Sequence, residues 1–164
     1  LRTKRLLIRK MDDSDSKKTA ILLSNRQVTE MYMVPDYNSA EGYMDPGCKI
    51  AGMSPDETRF VRGIFLDDIL IGIIHDVEIS DYVELGYVLN PKYWNQGYMS
   101  ETLNECIRYL FAYGIGKVRA GVFEENTASI RVMEKCNMKR IPTEESIIYQ
   151  GITHEVIYYE IEKV

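Results

Sequence analysis

Two stretches of the chain combine residue types and spacing that could do chemistry. The first runs Glu84-Leu85-Gly86-Tyr87-Val88-Leu89-Asn90-Pro91-Lys92-Tyr93-Trp94-Asn95-Gln96-Gly97-Tyr98-Met99-Ser100-Glu101. It reads as a strand ending near Leu89, a loop, and an amphipathic helix opened by Gly97. A helix start offers unpaired amides and the positive end of a dipole, so an anion such as a phosphate can dock there. Gly97 has no side chain to hold that anion away from the backbone. The stretch lacks the Gly-Lys-Ser/Thr of a nucleotide P-loop, and one glycine makes no dinucleotide fingerprint. A plain turn before a helix explains the same glycine, so both readings stand. The second stretch runs Glu124-Glu125-Asn126-Thr127-Ala128-Ser129-Ile130-Arg131-Val132-Met133-Glu134-Lys135-Cys136-Asn137-Met138. Asn126 and Ser129 fall at a helix start expected to face the strand carrying Glu84. They are either ligand-facing groups or simply an N-cap followed by a helical serine.

The elements that must position these residues follow from periodicity and turn chemistry. Lys4–Lys10 alternates as a strand, and Asp12-Asp13-Ser14-Asp15-Ser16 is a helix start with capping oxygens and acidic charge. Ile21, Leu22 and Leu23 supply that helix with an apolar face, and a further short helix is expected within Asn25–Met33. Pro35–Thr58 is rich in Pro, Gly, Asp, Asn and Ser and reads as a long loop with a short helix near Ser39–Met44. Such a loop either covers a substrate site or merely connects.

Strands are expected at Phe60–Leu66, Ile69–Ile79 and Tyr82–Leu89, joined by tight turns at Asp67-Asp68 and Ser80-Asp81. In Tyr98–Tyr113, Met99, Leu103, Cys106, Ile107, Leu110 and Phe111 recur at helical steps, and Gly114 ends the helix. Lys117–Phe123 is a strand and Asn126–Cys136 a helix, left through a left-handed Asn137. Two closing strands, Met138–Tyr149 and Thr153–Ile161, turn at Gln150-Gly151. The order predicts an α/β (α+β) architecture: a mixed, mostly antiparallel twisted sheet of about seven strands flanked by about four helices, with one parallel step across Tyr98–Tyr113.

Composition narrows the function. The 164 residues suit one domain, and 45% apolar with 27% charged residues is globular rather than disordered. A net charge of -5 is a poor match for nucleic acid, and suits either a cationic substrate such as an amine or a solvated acidic surface. Three widely spaced cysteines, Cys48, Cys106 and Cys136, form no Cys-x-x-Cys, which points to a reducing compartment, the cytoplasm by default. No apolar run approaches the roughly 18 residues of a membrane span. His75 and His154 are the only histidines and lie on separate expected strands, so no metal is expected. Trp94 and Tyr93 are read as packing against the neighbouring helix, with bracketing of the loop as the alternative. One of Tyr158 and Tyr159 should face the core.

Taken together and in order, the two stretches resemble the GNAT superfamily of acetyl-CoA-dependent N-acetyltransferases. The branch most like this chain includes the ribosomal-protein N-terminal (alanine) acetyltransferases. Thr3-Lys4-Arg5-Leu6-Leu7-Ile8-Arg9 resembles that branch's first strand, and Gln27-Val28-Thr29-Glu30-Met31-Tyr32 its early helical region. Leu85-Gly86-Tyr87, the Tyr93-Trp94 to Glu101 loop and helix, and Asn126 to Met138 resemble its core motifs. The resemblance covers essentially all of residues 1–164 as a single N-acetyltransferase-like domain.

The resemblance implies that acetyl-CoA lies where the strands Tyr82–Leu89 and Lys117–Phe123 splay apart. Asn95, Gln96, Gly97, Tyr98, Met99 and Ser100 would surround its pyrophosphate, with amides from Gln96 to Ser100 holding it. The pantetheine arm would run beside Val88 and Leu89 as a pseudo-strand, Asn126 would meet that arm, and Ser129 would sit near the sulfur. Met99 and Asn95 stand where the family commonly has small residues. The implied reaction is direct attack of a neutral primary amine on the thioester, the acceptor being a protein N-terminus or a small amine or amino acid. Glu84 is the candidate base, through water, with Glu144 and Glu145 next in line. Ser129 is the candidate acid for the departing thiolate, with Tyr87, Tyr149 and water as rivals. No metal, nucleic acid or membrane is implied, and a homodimer is compatible. The alternatives are a non-catalytic acetyl-CoA sensor of the same fold and a binder of another phosphorylated ligand at the Gly97 loop.

Overall fold

The computed structural model describes residues 1–34 and 45–164. Its strands are β1 (Leu7–Arg9), β2 (Val61–Leu66), β3 (Ile69–Ile79), β4 (Val83–Leu89), β5 (Lys117–Phe123), β6 (Lys139–Tyr149) and β7 (Ile152–Glu162). Its α-helices are α1 (Ser16–Ser24), α2 (Arg26–Thr29), α3 (Pro46–Met53), α4 (Tyr98–Ala112) and α5 (Thr127–Lys135). The seven strands form one mixed sheet in the order β1-β2-β3-β4-β5-β7-β6. Every neighbouring pair with a recorded register is antiparallel except β4 with β5, which runs parallel. Backbone contacts group the chain into two compact units: Leu1–His75 with Tyr87–Tyr98, and Asp76–Gly86 with Met99–Val164.

In the first unit, Met11, Leu22, Leu23, Val28, Ile50, Ala51, Val61, Ile73 and Val88 form a buried cluster. Asp12 caps the entry to α1 through a 3-10 turn at Asp13–Asp15, closing a capping box with Asp15. Asp15 itself is fully buried and ion-paired with Arg9 at 2.8 Å and Lys18 at 3.1 Å. Burial pulls its pKa upward, but the bonds from Arg9, the Asp12 backbone and Lys18 hold it below the usual value. The β2–β3 hairpin turns at Asp67 and Asp68, whose φ of 47° and 65° give the left-handed pair that a two-residue hairpin requires.

Two sequence expectations change, one is met by a short helix, and one falls on residues that are not described. The first strand is limited to Leu7–Arg9, because the Thr3 hydroxyl accepts the amides of Arg5 and Leu6 and folds Thr3–Leu6 into a turn. The helix within Asn25–Met33 is the short α2, with Asn25 as its cap. Part of the expected Pro35–Thr58 loop is the helix α3, started by the Asp45 side chain, which accepts from the Gly47 and Cys48 amides. The helix expected near Ser39–Met44 lies outside the described residues.

In the second unit, α4 buries Met99, Leu103, Cys106, Ile107 and Leu110 of the helical stripe expected from sequence, while Phe111 is half-buried. β5 pairs with β7 over its whole length, from Lys117↔Glu162 to Phe123↔Val156. β7 pairs in turn with β6, across a turn with φ of 50° at Gln150 and 78° at Gly151. Asn137 leaves α5 at φ 60°, as expected of that asparagine. Tyr159 is buried and Tyr158 half-buried, so one of the pair faces the core.

Gly72 on β3 holds a close approach to the end of β4. A Cβ there would lie 2.4 Å from the Val88 carbonyl oxygen and 2.9 Å from the Leu89 side chain. Gly72→Ala is expected to push Val88 and Leu89 outward and destabilise the protein by about 1–3 kcal/mol, the usual cost of overpacking. Urea denaturation of the variant checks this, and an unchanged midpoint would remove the packing constraint.

Candidate active site

The loop between β4 and α4 is held by its own side chains. Asn90 Oδ1 accepts from the Lys92 amide at 3.1 Å and caps a 3-10 turn at Pro91–Tyr93. The Trp94 indole N–H donates to the Leu89 carbonyl at 2.7 Å, tying the loop to the end of β4. Trp94 is therefore a strut for the strand end and stays 42% exposed. Tyr93 does pack against α4, edge-on to Tyr98 at 6.3 Å between centroids. Asn95 and Gly97 adopt φ of 59° and 79°, left-handed conformations that asparagine tolerates and glycine adopts freely. Gln96 Nε2 bonds the Lys92 carbonyl at 3.0 Å, while the Gln96 carbonyl accepts from Arg5 at 3.0 Å. Met99 is buried, so a large side chain at that position serves the core and leaves its backbone at the helix start.

Asn126 caps α5, its Oδ1 accepting from the Ser129 amide at 3.1 Å. Ser129 is half-buried in the first turn of that helix. The cap expected from sequence is thus present, and a ligand role for either residue would come in addition to it.

Glu84 lies on β4 at the last recorded position of the parallel ladder, which comprises Val83↔Val118 and Glu84↔Arg119. Strand pairing places neighbouring side chains on one face, and a cluster of charged and aromatic residues gathers around this carboxyl. Arg119 gives its guanidinium to Glu160 at 2.8 and 3.1 Å and lies over the Tyr82 ring at 3.9 Å. Tyr82 donates to Glu78 at 2.9 Å, and Tyr158 donates to Glu145. Gly121 leaves the space that the Tyr158 ring occupies: a Cβ there would be 2.8 Å from Tyr158 Cε1 and 3.4 Å from Glu84 Oε1.

These surroundings push the Glu84 carboxyl above its ordinary pKa. Burial is the main cause, with the charges of Glu78 and Glu145 adding to it and Arg119 opposing. The Tyr158 hydroxyl is also pushed up, by burial, by its bond to Glu145 and by the Glu84 charge. Sequence reasoning named Glu84 and Glu145 but missed Tyr82, Arg119, Gly121 and Tyr158. Only the β4–β5–β7–β6 register brings them together, and no local motif signals it. Of the other named groups, Glu144 lies 3.5 Å from Arg140, and Tyr149 packs 5.8 Å from Phe123. His154 stacks on Phe123 at 4.2 Å and bonds Glu125, while His75 bonds the Tyr32 hydroxyl.

Comparison with known proteins gives this arrangement a family. A profile of the acetyltransferase (GNAT) domain matches residues 5–139. The chain belongs to the GNAT acetyltransferases. The uncharacterized N-acetyltransferase YoaA of Bacillus subtilis is 28% identical over 170 residues, 99% of this chain and 96% of that protein. A GNAT-family acetyltransferase structure from Bacillus anthracis superposes with a TM-score of 0.81 at 27% identity, covering 99% and 97% of the two chains. A ribosomal L7/L12 α-N-protein acetyltransferase solved with coenzyme A has a TM-score of 0.80 at 19% identity, covering 98% and 95%. That last likeness concerns the fold. This acetyltransferase has a mixed seven-stranded sheet, and none of its described helices is long and apolar enough to cross a membrane.

The raised Glu84 pKa sets a pH dependence for the fold. A carboxyl with a higher pKa in the folded than in the unfolded state favours folding while protonated. That contribution is complete below the unfolded value near 4.5 and is lost as pH rises through the folded pKa. Glu84→Gln removes the charge and keeps the shape. The variant is expected to be more stable than wild type at pH 7.5, the difference shrinking as pH falls toward 4.5. Urea midpoints of both proteins at the two pH values check this, and a variant less stable at pH 7.5 would contradict it.

Proposed function

We propose that this acetyltransferase moves the acetyl group of acetyl-CoA to a primary amine, either a protein N-terminus or a small amine, by direct attack on the thioester. The observation that carries the reading is the short parallel ladder: β4 runs on to Leu89, while its recorded pairing with β5 stops at Glu84. Strand backbone on the β5 side beyond the ladder needs hydrogen-bond partners, and the amide-rich pantetheine arm, running beside Val88 and Leu89, supplies them. The amides from Gln96 to Ser100, with Asn95, Gly97, Tyr98 and Met99 shaping the turn, hold the pyrophosphate at the start of α4. Asn126 meets the pantetheine arm in addition to capping α5 through its Oδ1.

Glu84 accepts the proton of the attacking amine through a water. Its raised pKa makes it a better base than an ordinary carboxylate. An α-amino group has a pKa of about 8 and is already partly neutral at pH 7, so it asks less of the base than a lysine near 10.4. The amine nitrogen bonds the carbonyl carbon, a strand amide near Leu89 steadies the oxyanion, and the C–S bond breaks. The leaving thiolate takes its proton from Ser129. The three free cysteines suit the reducing cytoplasm, where acetyl-CoA and nascent N-termini meet.

Thiol release with acetyl-CoA and a panel of N-terminal peptides and small amines tests the reading. Glu84→Gln and Ser129→Ala are expected to lower kcat at least about tenfold, at the low end of general acid–base effects, with acetyl-CoA affinity unchanged. Unchanged rates would remove these roles, and saturable acetyl-CoA binding without turnover of any amine would make the chain a sensor.

A further inference from the structure

Among the described residues, the N-terminal cation Arg5 makes both a hydrogen bond and a ring contact with the cofactor loop. It lies 91 residues upstream in sequence, yet its guanidinium donates to the Gln96 carbonyl at 3.0 Å and covers the Tyr98 ring at 4.3 Å. Its NH2 nitrogen is 3.5 Å from where a Gly97 side chain would begin. Arg5 therefore grips both sides of Gly97, and the peptide between Gln96 and Gly97 is the unit it controls.

The geometry of that peptide gives the grip a consequence. The bond is trans, so its C=O and N–H point in opposite directions. A Gln96 carbonyl turned to Arg5 sends the Gly97 amide the other way. With glycine on its C-terminal side, this peptide can rotate between two orientations at little steric cost. The opposite orientation would aim carbonyl lone pairs where the present one aims an N–H, which repels an anion instead of holding it. Electrostatics supplies a second, independent consideration. A guanidinium beside Gly97 and Tyr98 places positive charge at the positive end of the α4 dipole, an unfavourable arrangement that a bound anion reverses.

We infer that Arg5 is the positioning residue of the cofactor loop, selecting the orientation of the 96–97 peptide that presents amides to the CoA pyrophosphate. This rests on the assignment of acetyl-CoA to the loop. Arg5 acts through the Gln96 carbonyl, on the side away from the Gly97 amide, and makes no step of the acetyl transfer itself.

The experiment is a thermal melt of wild type, Arg5→Ala, Arg5→Gln and Arg5→Lys with and without CoA, together with acetyl-CoA KM and kcat. Arg5→Ala is expected to melt near wild type without ligand and to lose most of the CoA-induced rise. Its CoA affinity should fall roughly tenfold, the loss of about one charge-assisted hydrogen bond. KM for acetyl-CoA should rise by the same factor, with kcat at saturating cofactor unchanged. Arg5→Lys keeps the charge and should recover part of the loss. Arg5→Gln keeps a donor without charge and gives the same reading should the alanine variant fail to fold.

A lower ligand-free melting temperature with the full CoA-induced rise would make Arg5 merely structural and overturn the inference. Equal CoA affinity in all four proteins would overturn it while leaving the cofactor assignment standing. Wild-type protein that binds no CoA would overturn both.

Discussion

Two positions of parallel pairing, Val83 with Val118 and Glu84 with Arg119, tie β4 to β5, and the proposed chemistry depends on the brevity of that ladder. β5 continues to Phe123 in full register with β7, so its other edge is satisfied throughout. β4 continues to Leu89, where Trp94 secures the final carbonyl and Gly72 admits the backbone to β3. A strand held this firmly on one side, with so short a ladder on the other, suits the proposed extended, amide-bearing ligand. The same register sets Glu84 on the face that carries Arg119, Tyr158 and Glu160, so the end of the ladder and the place of the carboxyl have one cause.

The electrostatics around Glu84 follow from how its neighbours are already engaged. Arg119 is the nearby cation, and Glu160 takes its guanidinium through two bonds, with Lys117 close by at 3.6 Å. Glu78 and Glu145 are each tied to a tyrosine hydroxyl. Glu84 is left with burial and like charge as its main influences, and both favour the protonated form. A carboxyl in that position accepts a proton more readily than one on the surface, which suits it to receive one from an amine. Cys136 illustrates the contrary case, a buried thiol pushed up to about 11 and bonded to the Ser100 carbonyl, which is inert.

Most of the fold was legible in the sequence because local chemistry decided it. Ile69–Ile79 and Lys117–Phe123 were read with their observed ends, since paired turn residues and alternation bound them. Asn126, Asn137 and the Asp67-Asp68 and Gln150-Gly151 turns were read from side chains that suit caps or left-handed backbone. The helix α3 was missed because Pro46, Gly47 and Gly52 look like helix breakers. At the first helical position, however, proline lacks only an N–H that would have no partner there, and Asp45 caps the amides that follow. The first strand was read too long because its alternation continues through Lys4–Leu6, where the Thr3 hydroxyl captures the backbone. At the candidate site, the loop and the two helix starts were legible as motifs. The tyrosines, Arg119 and Gly121 around Glu84 were not, since strands far apart in sequence bring them together.

The proposed reaction depends on the start of α4 holding the pyrophosphate of CoA. A crystal structure of the protein with CoA tests it most directly. Pyrophosphate oxygens are expected within hydrogen-bond distance of backbone amides among residues 97–100, with the pantetheine arm running beside β4 at Val88 and Leu89. Phosphates bound elsewhere, with those amides turned to solvent, would contradict it.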